Sequence, residues 1–190
     1  MSKTQKEGDF TKEDAYKNLN RVNEWLNNGD NKISFSLAFI GVLVGLFFSS
    51  YKLFNTFVES INILKYSIKN NIIDLFIAII GLGFIFFSCR ALLFLYNGLK
   101  AQINPDIYSG NNFDQGSKLF WESISKSEFQ DFEETIIQIK EKELIKDINS
   151  QTFINSIICS KKFKSYNKGV ESIKKAVILF FLYGILVLFS

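Results

Sequence analysis

The sequence contains no histidine and only two cysteines, and each scarcity disfavours a class of function. Without histidine, the common zinc sites and the Ser-His-Asp triad are disfavoured. Cys89 and Cys159 are too few for a disulfide framework, so the water-exposed part is expected to face a reducing compartment. The N-terminal residues mix charges of both signs and lack the regions of a signal peptide, so cleavage for export is not expected.

The sequence also lacks a strong excess of one charge. Charged residues make up 22% of the chain and the net charge is only +3. Acidic and basic residues alternate across most polar stretches, so binding to nucleic acid is not expected. No pair of a nucleophile and a base is evident, and we therefore expect no enzymatic activity and no cofactor.

The longest uncharged stretch is Ile33 to Tyr51, between Lys32 and Lys52. As a helix it is about 28 Å long, which approaches the thickness of a hydrocarbon core. A soluble buried helix would carry charges on its solvent face. The stretch therefore predicts a membrane-spanning helix.

Two further apolar stretches predict membrane helices. The second runs from about Ile72 to Tyr96, with Asp74 near its start and Arg90 near its end. The third, residues 176–190, is only about 22 Å long as a helix. Snorkelling by the preceding lysines favours spanning over a re-entrant or interfacial position.

These stretches predict a mostly α integral membrane protein with two or three transmembrane helices and a small cytoplasmic helical domain. The predicted parts are a cytoplasmic amphipathic helix at 1–32, a transmembrane hairpin at 33–97, a cytoplasmic helical domain at 98–175, and a C-terminal transmembrane helix at 176–190. Two crossings return the N-terminus and the 98–175 domain to the same side, and neither has an export signal. We therefore expect both in the cytoplasm.

Local signals define the helices outside the membrane. Thr11, followed by Asp14, predicts a helix start, and Asn27-Asn28-Gly29 predicts its end. The apolar stripe of this helix packs on the soluble domain or lies on the membrane surface. The apolar residues of 52–71 predict that the first membrane helix continues beyond the bilayer and turns near Asn70-Asn71. A loop is predicted around Pro105, followed by three helical runs, at 120–124, 132–148 and 153–173.

Small residues follow one face of the first membrane helix. Ser34, Ala38, Gly41 and Gly45 recur at spacings of four, three and four. Such a face lets another helix approach closely in lipid. It predicts helix packing, either self-association or contact with the second membrane helix.

Lysines follow one side of the last polar helix at positions 161, 164, 168 and 175. The stripe is either solvated or facing anionic lipid, or it is a site for a phosphorylated small molecule. Arg90 either snorkels to the interface or serves a pathway or ligand.

The chain resembles the transmembrane effectors of Pycsar, the bacterial pyrimidine-cyclase anti-phage system. The resemblance covers the chain from Leu19 onward. It rests on Leu19, Val22, Trp25 and Leu26 leading into Asp30-x-Lys32, on Pro105 after the second membrane helix, on Phe120-Trp121, and on LIKDINSQTFINSIICSKKFKSYNKGVESI. The sequence departs from the family at Gly29 and Ile33, where alanine is usual, and at the pair Lys161-Lys162.

The resemblance implies a two-gene defence against phage. A neighbouring cyclase makes cyclic CMP or cyclic UMP, and the membrane effector responds by impairing the inner membrane, which causes abortive infection. A homo-oligomer in the lipid bilayer is expected. A cyclic nucleotide carries one negative charge, so we name Lys32, Arg90, Lys100, Lys161 and Lys164 as a hypothetical nucleotide site. The alternatives are a membrane-anchored interaction protein and a related effector that responds to another nucleotide.

Overall fold

The computed structural model describes residues 10–66, 72–100 and 117–189, and within these ranges the regular structure is entirely α-helical. The prediction of a mostly α protein is confirmed. The predicted loop around Pro105 and the turn near Asn70-Asn71 lie outside the described residues. The six helices are α1 (Lys12–Ser49), α2 (Tyr51–Tyr66), α3 (Ile72–Leu99), α4 (Trp121–Ser125), α5 (Phe129–Gln138) and α6 (Glu141–Phe189).

Helices α1, α3 and α6 are each long and apolar enough to cross a membrane. The three predicted membrane stretches lie in these three helices. The third stretch is the end of the 49-residue helix α6, which continues past Lys175 without a break. The chain is therefore an integral membrane protein by length and composition.

The start of α1 follows its sequence signal. The Thr11 hydroxyl accepts a hydrogen bond from the Asp14 N–H at 3.2 Å, and the Thr11 N–H donates to Asp14 Oδ2 at 3.1 Å. The Thr11 hydroxyl also donates to Asp14 Oδ2 at 2.7 Å. This reciprocal arrangement is a capping box, which satisfies backbone groups that a helix start leaves unpaired.

The predicted end of the first helix at Asn27-Asn28-Gly29 is wrong, because α1 is continuous from Lys12 to Ser49. A glycine inside a helix costs about 1 kcal/mol relative to alanine. A Cβ added at Gly29 would lie 3.6 Å from the Phe163 ring of α6, at ordinary van der Waals distance, so this ring packs against α1 here. Packing at this position offsets the weak local preference.

The sequence predicted that the first membrane helix continues past residue 52, and this prediction is wrong. Helix α1 ends at Ser49 and a second helix, α2, begins at Tyr51. The Phe47 and Phe57 ring centroids are 5.6 Å apart. Ten residues of one straight helix would separate them by about 15 Å, so the chain bends at Ser50.

The expected single helix across 132–148 is also interrupted. Helix α5 ends at Gln138, Ile139 is extended with ψ 129°, and α6 begins at Glu141. The apolar periodicity passes through this break, because Ile139 and Leu144 are both partly buried. Periodicity reports burial, and it does not distinguish one helix from two that share a buried side.

The described chain falls into two compact units. The first comprises residues 1–28 and 101–160, and it contains the start of α1, helices α4 and α5, and the start of α6. Ala15 and Ile148 are fully buried there. Asn155 Nδ2 donates a hydrogen bond to Asn23 Oδ1 at 2.9 Å. The stripe on α1 therefore faces inward, which favours packing over lying on a membrane surface.

The second unit, residues 29–100 and 161–190, holds the rest of α1, helices α2 and α3, and the rest of α6. At one end, a Cβ added to Gly98 of α3 would lie 2.9 Å from Ile33 Cδ1 and 3.5 Å from Ser165 Cβ. Residues from each of the three membrane helices thus lie close together at this position along the bundle. We call Ile33, Gly98 and Ser165 the Gly98 level.

The core of this unit is aromatic. The Phe47 ring of α1 lies 5.1 Å from Phe84 of α3 and 5.3 Å from Tyr183 of α6, between centroids. From the Gly98 level to these rings, residue numbers rise in α1 and α6 and fall in α3. Helices α1 and α6 are therefore parallel to each other and antiparallel to α3. Tyr183 Oη donates to the Leu53 carbonyl at 2.6 Å.

Candidate functional site

The motif Asp30-x-Lys32 lies on α1 beside α6, near the Gly98 level. Asp30 forms an ion pair with Lys162 of α6. The Lys162 side chain is 11% exposed and the Asp30 side chain 41% exposed. The pair therefore joins α1 to α6 with its cation largely shielded from water.

Lys162 was missed by the sequence analysis, which named its neighbours at 161 and 164. Adjacent residues of a helix point about 100° apart. Lys162 therefore points to a different side of α6 from Lys161 and Lys164, and it faces α1. Asn155 and Lys162 are one heptad apart on the same side of α6, and Asn155 also contacts α1. This seven-residue spacing was the available signal.

Lys32 lies on the outside of the same junction. Its Nζ is 5.8 Å from the centroid of the Phe163 ring, which also contacts Gly29. This distance suits a cation–π interaction. The Phe163 and Tyr166 rings are 6.4 Å apart in an edge-on arrangement. A cation and two aromatic rings thus occupy one end of the bundle.

Four of the five cations of the predicted nucleotide site lie within four residues of the Gly98 level along their own segments of the chain. Lys100 is two residues beyond Gly98, and Lys161 and Lys164 flank the Lys162–Phe163 pair. Lys161 is partly buried, and the other three side chains are exposed. We call Lys32, Lys100, Lys161 and Lys164 the cationic end.

Arg90, the fifth predicted cation, lies apart from the cationic end. It precedes Gly98 by eight residues, or about 12 Å along α3. Its Cζ is 5.4 Å from the Phe94 ring centroid, and Lys168 Nζ is 5.5 Å from the same centroid. Arg90 therefore belongs to a different group of charges, shared between α3 and α6.

The small-residue face of α1 is exposed in the single chain. Ser34, Ala38, Gly41 and Gly45 are all exposed. A Cβ added to Gly41 or Gly45 would meet nothing within 4 Å in the part of the chain that the structure describes. Packing of this face therefore stays a prediction.

The close helix contacts within the chain use other glycines. A Cβ at Gly81 would lie 2.6 Å from the Phe57 ring, and one at Gly83 would lie 3.1 Å from Leu179. Both are packing positions within the chain. Gly169 contacts Leu95 in the same way, with 2.7 Å to an added Cβ.

Comparison with known proteins decides the family. The sequence profile of the Pycsar effector protein domain matches residues 14–190. The chain belongs to the Pycsar effector family. It is 35% identical over 187 residues to the Pycsar effector protein GmPycTM of Gulbenkiania mobilis, and the match covers 94% of this chain and 93% of that protein. No solved structure matches the chain.

Membership of the Pycsar effector family makes the chain an effector of anti-phage defence. It implies a functional pairing with a cyclase and a cyclic nucleotide signal. The matched residues include the Asp30–Lys162 ion pair and the cationic end. The family is not a known class of enzymes.

Proposed function

We propose that this protein is a non-enzymatic effector that binds cyclic CMP or cyclic UMP and then impairs the integrity of the bacterial inner membrane. A neighbouring cyclase supplies the nucleotide during phage infection, and the damage stops the infected cell before phage matures. The observation that carries the proposal is the cationic end on a bundle of membrane-length helices. The first unit and the N-terminus lie in the cytoplasm in this proposal.

The chemistry of the cationic end suits a cyclic nucleotide. The cyclic phosphate carries one negative charge, and hydrogen bonds from lysines to such an anion contribute about 1.5–3 kcal/mol each. Phe163 and Tyr166 add aromatic surface beside Lys32. In this proposal the lysines contact the phosphate and an aromatic ring stacks on the flat base.

Binding at this place acts directly on the helices. Lys32 is on α1, Lys100 follows α3, and Lys161 and Lys164 are on α6. A ligand held by all three helices shifts their arrangement only if it prefers one arrangement over another. The exposed small-residue face of α1 supplies a surface for assembly into a homo-oligomer within the lipid bilayer.

The test uses the full chain in lipid vesicles loaded with a fluorescent dye. Cyclic UMP or cyclic CMP is expected to bind to the protein and cause release of the dye from the vesicles. The 5′-monophosphates are expected to do neither. The double variant Lys161→Glu/Lys164→Glu is expected to weaken nucleotide binding about ten- to a hundredfold, because two attractive charges become repulsive. Binding is measured by calorimetry and dye release by fluorescence.

The matched control is Lys140→Glu/Lys146→Glu, which makes the same change of charge on exposed residues of the first unit. It should leave both measurements unchanged. Equal binding of cyclic and linear nucleotides would contradict gating by a cyclic pyrimidine nucleotide. Nucleotide binding without dye release would instead indicate an anchored interaction protein.

A further inference from the structure

Charges extend farther along one side of the membrane bundle than along the other. On α1 the last charged residue before Lys52 is Lys32, which directly precedes the Gly98 level. On α3 and α6, charged residues continue past this level toward the aromatic core. They are Arg90, Lys168, Glu171, Lys174 and Lys175, and we call them the charged seam.

Contacts fix how far the charged seam reaches. Lys175 Nζ lies 5.4 Å from the centroid of the Phe87 ring. Phe87 is one turn from Phe84, whose ring contacts Phe47 in the aromatic core. Phe87 is also eleven residues, or about 17 Å, beyond Gly98 along α3. A cation therefore lies close to the height of the aromatic core.

The charged seam is on the surface. All five of its side chains are exposed. Glu171 forms an ion pair with Lys175 at 3.0 Å, and the charges of Arg90 and Lys168 lie 5.4 and 5.5 Å from the Phe94 ring centroid. Four positive charges and one negative charge leave a net charge of +3.

At the same heights α1 exposes apolar side chains. Phe35 is 75% exposed and Val42 is 61% exposed. A bilayer that begins at the Gly98 level covers these residues, but it also surrounds the charged seam. A bilayer that begins at Lys175 leaves Phe35 and Val42 in water, and exposing each of these side chains costs about 1.5–3 kcal/mol. One flat boundary cannot suit both sides of the bundle.

Snorkelling does not remove this conflict. Lys174 is nine residues, or about 13 Å, past Ser165, which exceeds the length of the lysine stem. The contact with Phe87 holds the Lys175 ammonium toward the core. A lysine in the middle of the hydrocarbon costs about 2.5–3.5 kcal/mol even on the lowest scales, so water or anionic groups must reach it.

We propose that the charged seam is hydrated and binds the phosphate groups of anionic phospholipids, which are drawn in from the leaflet at the Gly98 level. The net charge of +3 attracts anionic headgroups, and the rings of Phe87 and Phe94 cover the lysine stems. The leaflet is therefore thinner beside α3 and α6 than beside α1. This site does not depend on nucleotide gating.

The first test measures hydration at one depth on three sides of the bundle. Val42, Cys89 and Lys174 are each nine residues from the Gly98 level, on α1, α3 and α6 respectively, and all three are exposed. Lys174→Cys and Val42→Cys are made in the otherwise native full chain. Each protein is reconstituted in vesicles of phosphatidylcholine with one quarter phosphatidylglycerol.

A membrane-impermeant sulfonated maleimide is supplied on both faces of the vesicles, and each cysteine is followed separately by peptide mass spectrometry. The cysteine at 174 should react within about tenfold of a water-exposed reference, Glu128→Cys. The cysteine at 42, on α1, should react at least a hundredfold more slowly than this reference, and the native Cys89, on α3, should react faster than the cysteine at 42. Equal, slow reaction at 42 and 174 would overturn the proposal.

The second test identifies the bound anion. Phosphatidylglycerol retained by the full chain is counted by native mass spectrometry for the native protein, for Arg90→Gln/Lys175→Gln, and for the matched control Lys140→Gln/Lys146→Gln. The seam variant should lose at least half of the retained lipid, and the control should keep it. Unchanged retention in the seam variant would overturn the lipid assignment. Displacement of the lipid by cyclic UMP or inorganic phosphate would also overturn it, in favour of a soluble phosphate.

Discussion

Single side chains decide what the junction of α1 and α6 can do, and the ion pair between Asp30 and Lys162 is the clearest case. Asp30 is recognisable in the sequence through the resemblance, and Lys161 and Lys164 through their spacing. Lys162 is not recognisable as the inward lysine, because a stripe of cations defines a helix side only to within one residue. Burial distinguishes Lys162, a structural cation, from the lysines that are accessible to a ligand.

The two partners of this ion pair should differ in what their removal costs. Asp30→Ala leaves the shielded ammonium of Lys162 without its carboxylate, so we expect a loss of about 2–3 kcal/mol in the free energy of unfolding. Lys162→Met leaves a carboxylate that water reaches, and a smaller loss of about 1–2 kcal/mol follows. Unfolding in mixed micelles of increasing denaturing detergent measures both.

Lys161→Met is the control for this pair, because its side chain makes no described ion pair, and it should change the free energy by less than about 0.5 kcal/mol. A double variant that lacks both Asp30 and Lys162 should be more stable than the sum of the single losses indicates. Equal losses for the two single variants would show that the ammonium is not shielded.

Among the helices, α1 shows which local signals could be trusted. Its start was predictable because Thr11 and Asp14 exchange hydrogen bonds within one turn, and no distant residue is required. The expected end at Gly29 failed because a ring from α6 fills the space beside that glycine. The break after α5 could not be predicted from the sequence either, because the spacing of apolar residues continues unchanged from α5 into α6.

The capping box makes the first turn of α1 sensitive to acid. Hydrogen bonds from the Thr11 side chain and backbone hold the pKa of the Asp14 carboxyl below its usual value of 3.8. A lowered pKa in the folded chain means that the stabilisation is present above pH 3.8 and is lost as the pH falls through the lower, folded value. Amide exchange at Asp14 and Ala15, corrected for intrinsic rates, should therefore accelerate below that pH.

Asp14→Asn provides the comparison for this prediction, because its side chain keeps a hydrogen-bond acceptor but does not titrate. Its exchange rates should show no step in the same acid range. A step of equal size in the asparagine variant would mean that another group controls the fraying of α1.

At the scale of the whole molecule, the positions of the membrane helices were predictable, because the membrane requires long uncharged stretches. The contacts between particular helices were not predictable. Uncharged length alone located the three membrane helices. The bend at Ser50, and the different heights at which charge ends on α1 and α6, depend on packing between residues far apart in sequence. Composition carries no information about such heights.

Two glycines distinguish packing within the chain from packing between chains. Gly81→Ala should destabilise the bundle by about 1–3 kcal/mol, because the new Cβ would meet the Phe57 ring at 2.6 Å. Gly45→Ala meets nothing within 4 Å among the described residues and should leave unfolding of the single chain unchanged. Detergent titration of both variants measures the difference.

If the small-residue face packs on a second chain, Gly41→Leu/Gly45→Leu should weaken the oligomer and the membrane effect while leaving the monomer stable. Light scattering in detergent and dye release from vesicles check the two parts separately. An unchanged oligomer with bulky residues at both positions would exclude this face as the contact.

The ion pair between Asp30 and Lys162 also orders events during synthesis. Its partners are 132 residues apart, so α1 and α3 leave the ribosome well before α6 exists. At 5–20 residues per second this interval is on the order of ten seconds. A chain that terminates before Glu141 never acquires α6, its third membrane helix, and therefore cannot close the junction between Asp30 and Lys162.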